Sequence, residues 1–245
     1  MSLAADMSHA RTMRAVIFDF FGTLTCAAQR GPAHAAVATR LGCDPTSFAA
    51  ALDATFAERS VGALGGPLAT LATLATRSGA PPPSLRLLHE AYADRIAALR
   101  ADVRLRPDAV AVLCALRKRG LRVGVISDCA AELPSIWPEL AVAPLVDVRV
   151  LSIEQRRHKP DRQMYLAASS GLGVVPADCF YVGDGDSHEL SGATAAGMAT
   201  IRLAADDMSG HLVFSADDWA GPSVRTLTDV LDVVARGTRR SLAAA

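Results

Sequence analysis

The chain has 245 residues, 51% of them hydrophobic and 20% charged, enough to bury a sizeable core and without the bias of a disordered protein. Its 25 basic and 25 acidic residues cancel and aromatic residues make up only 5%, which argues against nucleic acid or an anionic membrane surface as partner. Cys26, Cys43, Cys114, Cys129 and Cys179 are odd in number and form no C-x-x-C pair, and no apolar run approaches the roughly 18–20 residues of a membrane span; free thiols in a soluble, cytoplasmic protein are expected.

Residues 1–13 lack an apolar signal core and read as a disordered leader. Ala15-Val16-Ile17-Phe18 is then a continuous apolar run ending in Asp19 and followed by Gly22, the pattern of a strand buried on both faces of a parallel sheet. Between Cys26 and Leu105 no strand-like run occurs. Ala- and Leu-rich helical stretches are expected over 32–41, 47–59, 68–77 and 84–100, parted by Gly- and Pro-containing breaks.

Strand and helix alternate from there on. Pro107 opens a helix with an apolar face of Ala109, Val112, Leu113 and Leu116, closed by Gly120. Val123, Val125 and Ile126 lead into Ser127-Asp128, and Cys179-Phe180-Tyr181-Val182 leads into Gly183-Asp184. Helices over 161–171 and 187–197 separate these runs, and a further strand follows at Ala199-Thr200-Ile201-Arg202-Leu203. Residues 236–245 read as a frayed tail.

The alternation predicts an α/β fold, a doubly wound parallel sheet of Rossmann-like type. The expected division is a core of 14–26 and 106–235, with 27–105 inserted as an all-helical cap. Ligands of such sheets bind beyond the carboxyl ends of the strands, and Asp19, Ser127 and Asp184 each stand at such an end.

Singly, the polar motifs are modest. Asp19-Phe20-Phe21-Gly22-Thr23-Leu24 suits a tight turn as well as a site, and Ser127-Asp128 suits a helix cap. Lys159-Pro160-Asp161 suits a solvated helix start, and Gly183-Asp184-Gly185-Asp186 suits a turn. In order and spacing, however, they resemble the four motifs of the haloacid dehalogenase superfamily, from Arg14 to Val234. The helical stretch resembles that family's four-helix type of cap.

The resemblance implies a hydrolase acting on a small molecule, with Asp19 as nucleophile. It also implies Mg²⁺ held by Asp19, the Phe21 backbone carbonyl and Asp184, with Glu189 standing where the family usually has Asp. Lys159 would neutralise charge, Ser127 would hydrogen-bond the transferred group, and Thr23, Asp128 and Arg59 are expected on the substrate side. Arg59 sits in Glu58-Arg59-Ser60-Val61-Gly62, where a specificity loop is expected. It either pairs with a substrate anion or is a solvated helix-end arginine.

One departure matters. Phosphatases of the family carry a second Asp two residues after the nucleophile, as acid and base, and here that position is Phe21. Three readings follow: a Mg²⁺-dependent phosphohydrolase of a phosphorylated metabolite, a metal-independent 2-haloacid dehalogenase, or a catalytically weak ligand-binding homologue. For the first, His188 and Asp128 are conceivable surrogate acids, although His188 is read more simply as a solvent-facing first-turn residue. Cys129 is read as a buried thiol, and Trp137 and Trp219 as packing or surface residues. The protein is expected to act as a monomer or homodimer.

Overall fold

The computed structural model describes residues 13–242; most of the expected leader lies outside them. Strand β1 (Ala15–Asp19) emerges directly from Met13, which is buried in the core rather than part of a leader. The cap stretch forms α1 (Pro32–Arg40), α2 (Pro45–Ala54), α3 (Phe56–Ser60), α4 (Pro67–Arg77) and α5 (Leu85–Asp102). The helix expected over 47–59 is thus two, broken at Thr55. Helix starts follow local chemistry: the Asp44 carboxylate accepts from the Ser47 amide at 2.8 Å with Pro45 in the first turn, and Ser84 caps the Leu87 amide.

The core continues with α6 (Ala109–Lys118), β2 (Arg122–Ser127), α7 (Glu132–Ile136), β3 (Val148–Leu151), α8 (Ser152–Gln155) and α9 (Arg162–Gly171). It closes with β4 (Cys179–Gly183), α10 (Glu189–Ala195), β5 (Ala199–Leu203), β6 (Ser223–Val224) and α11 (Leu227–Leu242). Strands β3 and β6 are additional to those read from the sequence. The expected frayed tail is helical as far as Leu242.

The sheet is parallel throughout, in the order β3-β2-β1-β4-β5-β6. Alternation along β1 sends Val16 and Phe18 to one face, against α6 and α11, and Ala15 and Ile17 to the other, against α9 and α10. Both faces are therefore apolar, as the continuous hydrophobic run required. The cap helices pack on a third cluster of their own, including Val37, Phe48, Leu52, Leu71, Leu74 and Leu88. The strand order reverses between β1 and β4, and this switch point opens the crevice at their carboxyl ends.

Candidate active site

Asp19 ends β1 and is buried. Lys159, in the turn before α9, donates from Nζ to Asp19 Oδ1 and to Glu189 Oε2, each at 2.6 Å. Asp19 Oδ2 is buried without a hydrogen-bond partner. Burial raises the Asp19 carboxyl to about 6, with Asp184 adding to the rise and Lys159 opposing it. Burial would discharge Lys159, but Asp19 and Glu189 outweigh it and hold the ammonium well above the ordinary lysine value.

Glu189, in the first turn of α10, is wholly buried. Its carboxylate also accepts from Tyr181 Oη at 2.8 Å and from the Gly185 amide at 3.0 Å. Asp184 follows β4 and accepts from the Asp186 amide at 3.0 Å and from His211 Nε2 at 2.9 Å. Burial alone would raise its carboxyl; the two donors outweigh that and hold it below the usual range.

Oxygens of Asp19, Asp184 and Glu189 lie within 4.8 Å of one another. Three buried carboxylates thus crowd together around one ammonium and the His211 ring, and burial raises the Glu189 carboxyl well above its ordinary value. Hard oxygen donors, this crowding of carboxylates and the orphaned Asp19 Oδ2 together fit a divalent cation such as Mg²⁺.

Glycine is required where the backbone crowds these acids. A Cβ on Gly22, whose φ is +79°, would lie 2.3 Å from Asp184 Oδ2 and 2.8 Å from the His211 ring. The Gly22 turn is clamped by buried Arg106, which donates to the carbonyls of Gly22 (2.8 Å) and Thr23 (2.9 Å).

A cavity of about 160 Å³ opens over Asp19, Lys159 and Asp184. Asp128 lines it and accepts from the Lys159 amide at 3.0 Å. Phe21, half-buried and edge-on to Phe20, also lines it. Arg59 is not a solvated helix end. It is buried in α3, lines the cavity, and donates to Leu52 O at 2.8 Å and Thr55 Oγ1 at 3.2 Å. The expected specificity loop is therefore helical at Glu58, Arg59 and Ser60. Burial, and then the neighbouring Arg95, lower the Arg59 guanidinium to about 10.

Two expected positions stand behind this surface. Ser127 is fully buried as the last residue of β2, its Oγ 3.5 Å from Asp128 O. Thr23 is fully buried with Oγ1 unpartnered. Neither lines the cavity: the residue following Ser127 reaches the crevice, and Thr23 lies beneath the Gly22 turn. His188 is exposed, beside Ser215 Oγ at 2.7 Å, and also does not line the cavity. Cys129 is fully buried, and burial pushes its thiol far up, as an inert core cysteine requires. Trp137 packs against Phe20, and Trp219 Nε1 donates to Pro222 O.

His211, Arg95, His34 and Glu132 line the cavity without having been read from the sequence. His211 sits in the long connection after β5, held by Ala28 N donating to Nδ1 at 2.8 Å. No motif marks it; a lone histidine in a long, ordered loop was the one available signal.

A family model described as haloacid dehalogenase-like hydrolase matches residues 13–197. A glyceraldehyde 3-phosphate phosphatase of Methanopyrus kandleri is 29% identical over 129 residues, 52% of this chain and 55% of that protein. The chain thus spans about half the length of the curated relatives it matches. Among solved structures, a defluorinating L-2-haloacid dehalogenase superposes with a TM-score of 0.66 at 25% identity, covering 94% of this chain and 98% of its own. A haloacid dehalogenase family enzyme of Bacteroides thetaiotaomicron, in complex with magnesium and inorganic phosphate, superposes with a TM-score of 0.59 at 15% identity, covering 78% and 94%.

Proposed function

The chain belongs to the haloacid dehalogenase-like hydrolases, and from that premise we propose that it is a Mg²⁺-dependent phosphohydrolase of a small phosphorylated metabolite, with Asp19 as nucleophile. The observation that carries this reading is the buried carboxylate cluster of Asp19, Asp184 and Glu189 around a single Lys159. The phosphatase among its relatives supports the same chemistry.

When bound, Mg²⁺ supplies positive charge opposite the phosphoryl oxygens, and Asp19, Asp184, Glu189 and the Phe21 carbonyl are the residues that would hold it. In the first step an Asp19 oxygen attacks phosphorus, the P–O bond to the leaving group breaks with its electron pair, and an aspartyl phosphate remains on Asp19. Water then attacks that phosphorus, releasing inorganic phosphate and the Asp19 carboxylate. Lys159 keeps Asp19 ionised and oriented through its 2.6 Å contact and stabilises charge on the transferred group. Glu189 fixes Lys159 from the other side. Asp128, through the Lys159 amide, positions the lysine backbone. Arg59 attracts the anionic substrate into the cavity.

No carboxylate stands at position 21 to protonate the leaving oxygen, so substrates with stable leaving groups are favoured. Hydrolysis of 4-nitrophenyl phosphate, with Mg²⁺ and with chelator, by the native chain and Asp19→Asn, tests the reading. Mg²⁺-dependent turnover abolished by Asp19→Asn is expected; its absence at high enzyme concentration would overturn the proposal.

A second reading, hydrolysis of a 2-haloacid, is favoured by one feature. Phe21-Gly22-Thr23-Leu24 puts an aromatic residue where halide departure needs no acid, and a dehalogenase is among the similar structures. Halide release from 2-chloropropionate in the presence of chelator distinguishes it.

A further inference from the structure

Away from the Asp19 carboxylate cluster, the cavity wall carries two arginines. Arg95 of α5 and Arg59 of α3 are both buried, and one carboxylate, Glu132 of α7, serves both. Arg95 Nε donates to Glu132 Oε1 at 2.8 Å, while Arg59 forms no ion pair among the described residues. Burial pushes the Glu132 carboxyl up, but Arg95 and then Arg59 pull it below the ordinary glutamate value. Of the other nearby charges, Arg30 pairs with Asp53, while Asp102 meets the His34 ring and keeps its negative charge. With Asp102 counted, the charges of this wall balance, so what it offers a ligand is a fixed donor edge rather than an unpaired charge.

The Arg95 guanidinium is held on two edges. Besides Glu132, its Nη1 lies 3.2 Å from His34 Nδ1, while His34 Nε2 meets Asp102 Oδ2 at 2.8 Å. With Nε2 donating to the carboxylate, Nδ1 is left to accept from the guanidinium, so this histidine works as a neutral ring. Asp102 is itself fixed by the Gly31 amide at 2.9 Å. Arg95 Nη2 has no hydrogen-bond partner among the described residues, although the side chain lines the cavity.

We propose that Arg95 is a specificity-determining residue that reads a carboxylate on the far end of the phosphorylated substrate, with His34 and Glu132 as its positioning residues. This rests on the phosphohydrolase reading of Asp19. The substrate class is then a short phosphorylated acid rather than a phosphorylated alcohol or aldehyde. A carboxylate fits better than a second phosphate because a wall whose charges already balance has only the one open Arg95 edge to set against an anion. A planar guanidinium also suits the carboxylate fork.

The test compares 3-phosphoglycerate with glycerol 3-phosphate, which differ in the carboxylate. The native chain is expected to prefer the acid by about 10- to 100-fold in kcat/KM, chiefly through KM. Arg95→Met alone breaks a buried pair, so the decisive variant is Arg95→Met with Glu132→Gln, which replaces both partners. In it the preference is lost, and His34→Leu raises KM for the acid more than for the alcohol. Equal kcat/KM for the two esters in the native chain, or an intact preference in the folded double variant, overturns the proposal.

Calorimetric titration of 3-phosphoglycerate into Asp19→Asn, with and without the double substitution, reads the same contact without turnover. An affinity drop of similar size supports the proposal; equal affinities, or no measurable binding to Asp19→Asn, overturn it. Should no phosphate ester be hydrolysed at all, the phosphohydrolase reading fails by itself, and the calorimetry still decides the role of Arg95.

Discussion

Phe21 and Gly22 sit side by side beneath the cavity and constrain it in opposite ways. Phe21 lines the cavity, and in the proposed phosphohydrolase a carboxylate at that position would serve the leaving group. Phe21→Asp is therefore expected to raise hydrolysis of alkyl phosphates relative to 4-nitrophenyl phosphate. The gain should be near the low end of the about 10²–10⁴-fold worth of a positioned acid; the ratio of kcat/KM for the two esters measures it. At position 22 a methyl group would meet Asp184 Oδ2 at 2.3 Å in a backbone conformation of positive φ. Gly22→Ala is expected to lower the melting midpoint and cut Mg²⁺-dependent turnover severely, because Asp184 or the turn must move. A native-like midpoint with full turnover would show that the turn is looser than this geometry requires. Lys159 is the third tight position: Lys159→Met leaves Asp19 and Glu189 buried without their cation. The expected cost is about 3–5 kcal/mol in urea unfolding.

Cap and core meet along α5, whose Ile96 and Leu99 pack against the core cluster, and through a few side chains at the cavity rim. Phe56 of α3 stacks on Phe214 of the β5–β6 connection with centroids 3.9 Å apart and planes 9° from parallel, at the cavity rim. Asp186 anchors that connection, accepting from the amides of Phe214 (3.0 Å) and Ser215 (2.8 Å). Phe214→Ala is expected to remove about 0.5–1.5 kcal/mol of stacking and to raise KM several-fold while sparing kcat. The Arg95–Glu132 pair joins α5 to α7 in the same region and carries a pH dependence. Because the Glu132 carboxyl is held below its ordinary 4.5, its contribution to stability is full above that value. The contribution fades as acid titrates the folded state at still lower pH. The stability advantage of the native chain over Glu132→Gln is thus expected at pH 7 and should shrink below about pH 4, as measured by urea unfolding at each pH.

The whole molecule gathers buried carboxylates at one end of the cavity and buried arginines at the other. A divalent cation bound at the acidic end stabilises the folded chain by mass action, about 2.7 kcal/mol at a hundred times its Kd. A rise in melting midpoint with Mg²⁺, reversed by chelator and absent in Asp184→Asn, is the expected outcome; a midpoint indifferent to Mg²⁺ would count against the metal site. The connections across the sheet are also global features. Cys26 N pairs with Arg104 O, and Leu212 N with Ala28 O. These contacts tie the start and end of the cap stretch, and the β5–β6 connection, to the same rim of the site.

The α/β class, the helical stretch after β1, and Asp19, Lys159, Asp184 and Glu189 were legible in the sequence alone. Asp19 and Asp184 follow apolar runs that must be buried strands. Lys159 and Glu189 stand out through the order and spacing of motifs that resemble the family's, since locally they suit a solvated helix start as well. Strand β6 escaped because two residues carry no period, and the break at Thr55 escaped because the apolar pattern of α2 runs on into α3. Arg59 was legible as a candidate but not as a buried one, since burial depends on what packs over a helix end. His211, Arg95, His34 and Glu132 were left to the tertiary structure. They come from a loop and three helices far apart along the chain, and no local pattern encodes a meeting that only the docking of cap on core brings about. Local sequence sets strand and turn through hard backbone sterics and period; the charge balance of a cavity belongs to the packed molecule.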